Sequence, residues 1–245
     1  MASQVGEGDI QGTMATAENY SWLTRRVQEA IHDGLSRAYE TIKVDADRYL
    51  LHLRRAHGLP VESFAQIHRI QPEVLDTIAD QTISAGMKLA AAEGLGLGLG
   101  GIFTALPDIG VLSAITMRML QKLSLVYGFE YSTDAEIAEL WVAAASAAGV
   151  NLGKELLEKE VIERFVPRVM EVIALKAGAE IGEKWAARMI PVVSGLAGSS
   201  LNYYFVRQWG RRAKRHFRER HMRIRHGQEF APIDRRSLLP ASAEL

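Results

Sequence analysis

The sequence predicts an all-α fold: a compact helical bundle with tightly packed, glycine-rich helices and a long basic helix near its C-terminal end. Three observations carry that expectation. Apolar residues recur at mixed three- and four-residue spacing through most of the 245 residues. Helix-starting and helix-stopping residues punctuate those stretches. No run of β-branched residues alternates with period two.

Between residues 20 and 57, Trp22, Ile31, Leu35, Tyr39, Ile42, Tyr49, Leu50 and Leu53 fall on one face of a single long amphipathic helix, with Gly34 as the place for a kink. Gly58 and Pro60 end that helix, residues 58–71 connect, and Pro72 suits the first turn of a second helix reaching Glu93. Pro107 lacks an amide hydrogen and disfavours helix in the residue before it, so the next apolar stretch is expected to form two short helices meeting at a corner. Asp108 would then cap the helix beginning at Ile109. Thr133 and Glu136 have capping-box spacing and open a helix running to Gly149. Further helices are expected over about 154–165, 168–188 and 191–225. Residues 1–19 read as a disordered tail, 20–226 as a single helical domain and 227–245 as a loosely ordered tail containing Pro232 and Pro240.

A chain of this length buries a sizeable core without staples. Cysteine is absent, which removes disulfides, thiol nucleophiles and thiolate zinc sites, and fits a reducing compartment. The first twenty residues lack the basic start and apolar run of a secretory signal. A spanning helix needs roughly 20 cleanly apolar residues. The nearest approach is 94–117, whose one charge is Asp108.

The 29 basic and 29 acidic residues balance, but unevenly. Between Arg207 and Arg225 nine Arg or Lys stand against Glu219 alone, a local charge of +8 that leaves −8 for the rest. Such segregation points to an anionic partner or to an acidic face of the same molecule. Within this helix Phe205, Trp209, Ala213 and Phe217 recur every four residues. That stripe suits either the core of the bundle or the headgroup boundary of a membrane.

Gly96, Gly98 and Gly101 formally satisfy G-x-G-x-x-G. The motif works only between a strand and a helix, where pyrophosphate meets helix amides, and here a helix precedes it. A steric reading fits better. Gly94 with Gly98, Gly96 with Gly100, Gly149 with Gly153, Gly178 with Gly182, and Ser194 with Gly198 are four apart, a spacing that lets helices approach closely, either as tight packing in a soluble bundle or as a glycine-zipper hairpin that enters or lines a lipid phase. His52 and His57, then His216, His221 and His226, are five apart, so successive rings turn by about 140° and should not share a face. H-E-x-x-H and G-x-S-x-G are both absent.

Three runs together carry a resemblance: GLGLGLGGIFTALPDIG at 94–110, MRMLQKLSLVYGFEY at 117–131, and IPVVSGLAGSSLNYYF at 190–205 followed by GRRAKRHFRER at 210–220. They resemble the EcsC protein family of bacteria, most strongly over residues 73–225. Its most specific positions here are Pro107, Asp108, Arg118, Tyr127, Gly128, Pro191, Gly195, Gly198, Asn202, Phe217 and Arg218. Glu130 departs mildly from the aspartate that often follows the family's Tyr-Gly-aromatic run. The family has no established biochemical activity, so the resemblance carries over no catalytic residue. Its association with a transporter operon implies proximity to membranes.

The functional expectation is a cytoplasmic protein at the inner face of the plasma membrane, binding a membrane surface, a lipid or another apolar ligand, without cofactor or metal. A scaffold with a protein partner or a homo-oligomer is the alternative, and an enzyme acting on lipid comes after it. Nucleic acid is not the expected partner, because no reader motif accompanies the basic stretch. Asp108 with Arg118 and Asn202 forms the candidate ligand or structural site. Arg207, Arg211, Arg212, Lys214, Arg215 and Arg218 are the candidate contacts to an anionic surface.

Overall fold

The structure, a computed structural model, describes residues 22, 24–39, 43–97, 102–152, 162–186 and 196–227; for 93–97, 102–109, 181–186 and 196–201 it describes the backbone alone. Among these residues the fold is all-α, with no strand. The helices are α1 (24–39), α2 (Ala46–His57), α3 (Phe64–Ile67), α4 (Pro72–Leu97), α5 (Ile102–Val126), α6 (Asp134–Ala147), α7 (Ile162–Ala186) and α8 (Leu196–Arg225).

The anticipated long first helix is two helices. Residues 43–45 are not helical, and Asp45 caps α2 by accepting from the Arg48 amide at 2.9 Å. Val44 is pinned on both sides: its amide donates to Gln121 Oε1 at 3.0 Å and its carbonyl accepts from the Tyr131 hydroxyl. Gly34 lies within α1 rather than at a break. At Gly34 α1 crosses α5 so closely that a Cβ would sit 2.8 Å from both Gly110 Cα and Ser113 Cβ.

The corner expected at Pro107 is also absent. Helix α5 runs unbroken from Ile102 to Val126, so Asp108 lies in helical backbone and is not an N-cap. Pro167 likewise sits inside α7, where a break between 165 and 168 was expected. Interior proline removes one backbone bond and costs about 3 kcal/mol. Packing of the rest of a 25-residue helix outweighs that loss, and the exposed position of Pro167 lets water serve the freed carbonyl. The start expected at Pro191 lies outside the described residues, and α8 is described from Leu196.

Other signals stand as read. Helix α4 begins at Pro72, Gly58 ends α2 with φ 65, and Thr133 and Glu136 form the capping box of α6. Gly149 has φ 79 just beyond α6, so it serves as a helix stop and not as half of a packing pair. Gly178 does pack closely, against Gln28 of α1. His52 and His57 meet edge to face with ring centroids 5.4 Å apart, so their five-residue spacing does not separate them.

The core is continuous and gathers Trp141, Tyr127, Phe165, Phe217, Leu35, Leu53, Ile67, Leu75, Leu120 and Leu123. Helix α8 packs against α4, α5 and α6, with α4 its main neighbour. Side-chain pairs fix the directions. Gly86 of α4 faces both Met119 and Val206, Ile83 faces Gly210, and Asp76 meets Tyr127 and Arg218, so α4 is antiparallel to α5 and α8. Gln28 faces Leu175 and Gly178 while Ser36 faces Met170, so α1 is antiparallel to α7. The end of α4, the start of α5, the end of α7 and the start of α8 therefore share one end of the bundle.

Candidate functional site

Helix α8 presents two faces with different uses of charge. On the inner face Val206, Trp209, Ala213, Phe217 and His221 are buried, and Phe205 packs half-buried against the core. The four-residue aromatic stripe is thus core and is not available to a membrane in this fold.

Flanking that face, basic side chains find partners inside the protein. Arg218 Nε donates to Asp76 Oδ2 at 2.9 Å, Lys214 Nζ to Asp80 Oδ1 at 2.8 Å and to the Asp76 carbonyl at 3.2 Å. Tyr127 donates its hydroxyl to Asp76 Oδ1 at 2.6 Å, tying α5 into the same cluster. Burial, and then the bond to Asp76, push the Tyr127 phenol far above its ordinary range. A buried phenol whose proton is already donated to a carboxylate holds three helices together and offers nothing to a solute.

Across the helix, His216 lies 2.9 Å and Arg220 3.6 Å from Glu139 Oε1 of α6. Burial alone would raise the Glu139 carboxyl, but His216, Arg220 and Arg223 hold it below its usual value. Arg212 donates to the Ala147 carbonyl at 3.2 Å, where a cation suits the C-terminal dipole of α6. Arg225 donates to the Arg69 and Ile70 carbonyls at 3.1 and 2.6 Å.

One buried pair is less comfortable. His221 Nδ1 lies 3.1 Å from the Tyr127 carbonyl and 3.4 Å from His68 Nδ1. A carbonyl only accepts, so the proton is assigned to His221 Nδ1 and His68 Nδ1 is the second acceptor. His221 Nε2 is then buried without a hydrogen bond of ordinary geometry. Burial, His221 and Arg220 hold His68 down to about 4. Burial also lowers His221, against the pull of the Tyr127 and Ile70 backbone groups. Among the described residues no group of three or more metal-ligating side chains forms.

The structure divides the six basic residues expected at an anionic surface. Arg212, Lys214 and Arg218 have the internal partners just described. Arg207, Arg211 and Arg215 are exposed in a row at i, i+4 and i+8, with no ion-pair or hydrogen-bond partner among the described residues. Asp108 and Arg118 are not brought together: they are ten residues apart on one helix, about 15 Å along its axis. Arg118 is exposed, Asn202 is half-buried, and the Asp108 side chain lies outside the described set. Asp76, Asp80, Glu139 and the His68–His221 pair were not singled out from sequence. Partners up to 153 positions apart leave no local spacing to read.

Among the described residues no helix is long and apolar enough to cross a membrane. The glycine pattern at 96–101 is preceded by helix, since α4 continues to Leu97.

The EcsC protein family model matches residues 18–222, which brings the N-terminal helices into a likeness that the motifs had placed from residue 73. Protein EcsC of Bacillus subtilis (strain 168) is 25% identical over 206 residues, covering 82% of this chain and 86% of that protein. No solved structure matches. With the family model spanning most of the chain, including the basic helix and its acidic partners, the protein belongs to the EcsC protein family.

Proposed function

We propose that this protein associates peripherally with anionic membrane surfaces through the outward cations of α8. One observation carries the reading. The inward basic residues of the helix are matched by carboxylates and carbonyls, whereas Arg207, Arg211 and Arg215 form an exposed row, followed four residues on by the exposed Glu219, that makes no ion pair among the described residues. Each basic residue held near an anionic bilayer contributes about 1 kcal/mol of attraction. Three in a row give a reversible, salt-sensitive association.

Co-sedimentation with phosphatidylcholine vesicles containing 30% phosphatidylglycerol tests it, comparing the wild type with Arg211→Glu plus Arg215→Glu. The wild type should pellet at low salt and the variant should remain in the supernatant. Equal behaviour of the two proteins, with circular dichroism showing both folded, removes this face of α8 from the interaction.

A further inference from the structure

We infer that the contact between His68 and His221 is an acid-sensitive latch: it keeps the connector between α2 and α4 seated while both rings are neutral, and favours opening of that segment when the pair takes up a proton. The device stands apart from the membrane reading and does not depend on it.

Residues 58–71 contain only the four-residue helix α3 and are seated by Leu59, Val61, Phe64 and Ile67, all buried. Polar contacts tie the same segment to the end of α8. Arg225 holds the Arg69 and Ile70 carbonyls, and His68 meets His221 with the two Nδ1 atoms 3.4 Å apart. On its other side His68 is pressed against the turn after α5. A Cβ on Gly128 would lie 2.9 Å from the Phe64 carbonyl oxygen and 3.0 Å from His68 Cε1, and the Phe129 ring centroid is 5.2 Å from that of His68. The half-buried His68 ring therefore has no room to move inward, and it leaves this contact only by moving outward with the connector.

One proton serves the contact. His221 Nδ1–H points at the Tyr127 carbonyl and at His68 Nδ1, which accepts. A proton added to His68 Nδ1 sets two N–H groups against each other across 3.4 Å. A proton added to His221 Nε2 keeps that bond but charges a ring with no exposure to water. The neighbouring charges oppose both. Helix α8 contributes Arg218 and Arg225 beside His221 and Arg220 beside His68. Acids on the adjoining helices are committed elsewhere: Asp76 of α4 to Arg218 and Tyr127, with Glu73 acting on Arg218 as well, and Glu139 of α6 to His216 and Arg220. Burial and these cations keep both imidazoles below their ordinary range, His68 at about 4. Once the connector opens, His68 is hydrated and free to take its proton, so acid draws the equilibrium toward the open form. The remaining core, around Trp141, Leu120, Leu123 and Phe165, contains no residue of the connector.

Amide hydrogen exchange of the full chain, read by mass spectrometry at pH 7 and pH 5 and normalised to the intrinsic exchange rates, tests the latch. With His68 at about 4 when seated and near 6.5 when released, the opening of peptides covering 59–71 should rise roughly 20-fold between the two conditions. Peptides from the middle of α5 and α8 should stay protected. In His68→Gln the amide oxygen takes over the acceptor role without titrating, so 59–71 should be equally protected at both pH values. Three results overturn the inference: no change in 59–71 of the wild type, loss of protection throughout the chain together, or the same pH response in His68→Gln. Should that variant not fold, the carbon-13 Cε1 shifts of the two rings in the wild type decide. Titration below pH 6 in step with the amides of 59–71 supports the latch, and titration of both rings near 6.5 contradicts it.

Discussion

Tyr127 and Asp76, 51 positions apart, share a 2.6 Å hydrogen bond whose other carboxylate oxygen takes Arg218 at 2.9 Å. The bond joins the end of α5 to the start of α4 and, through Arg218, to α8. Tyr127→Phe removes one donor and leaves the ion pair, so it should cost about 1 kcal/mol. Asp76→Ala strands the Tyr127 hydroxyl and Arg218 together, while Lys214 keeps the residue-76 carbonyl and Asp80, and should cost about 2–3 kcal/mol. Urea denaturation of the two variants gives the order; an Asp76→Ala as mild as Tyr127→Phe contradicts a shared cluster.

Gly34 and Gly86 should respond oppositely to alanine. At Gly34 the new methyl meets Gly110 Cα and Ser113 Cβ at 2.8 Å, and backbone cannot move aside cheaply. Overpacking of about 1–3 kcal/mol exceeds the roughly 1 kcal/mol that alanine gains in helix propensity. At Gly86 the nearest atom is Met119 Sδ at 3.3 Å, the end of a flexible side chain, so Gly86→Ala should be neutral or slightly stabilising. Melting temperatures of the two variants decide it.

Stability should fall as pH drops from about 6.5 toward 4. His68 is held down to about 4 in the fold, whereas an unfolded histidine titrates near 6.5. Between those values the unfolded chain binds a proton that the folded one excludes, so the contribution is complete above 6.5 and lost on acidification. His221, lowered by burial, acts in the same direction. In His68→Gln the slope of urea midpoint against pH across this window should shrink; an unchanged slope assigns the acid sensitivity elsewhere.

The cap of α6 should be a local term. Thr133 Oγ1 accepts from the Glu136 amide, and Glu136 Oε2 accepts from the Thr133 amide at 2.9 Å. Thr133→Ala should cost about 1 kcal/mol, and Thr133→Ser much less. Equal losses for both, read from denaturant midpoints, mean that the methyl group's packing matters more than the cap.

What was legible in the sequence was local. Pro72 at a helix start, Gly58 at a helix stop and the Thr133–Glu136 box each act within one turn, so spacing alone identifies them. The break at 43–45 was hidden because the flanking apolar residues keep helical spacing across it; Gln121 and Tyr131, far along the chain, fix the junction. Pro107 and Pro167 misled because a local penalty was set against packing that only the whole bundle provides. For the candidate site, composition revealed the basic helix but not which cations are matched. That depends on Asp76, Asp80 and Glu139 arriving from α4 and α6. The apolar stripe of Trp209 and Phe217 could have faced core or lipid, and only the packing of α4, α5 and α6 around α8 decides for core.

The most direct measurement is a salt titration of binding to vesicles with 0, 15 and 30% phosphatidylglycerol, alongside duplex DNA at equal ionic strength. The proposed role requires binding that strengthens with anionic lipid, weakens with salt, and exceeds retention by DNA. No binding to the most anionic vesicles at low salt, or tighter binding to DNA, contradicts it.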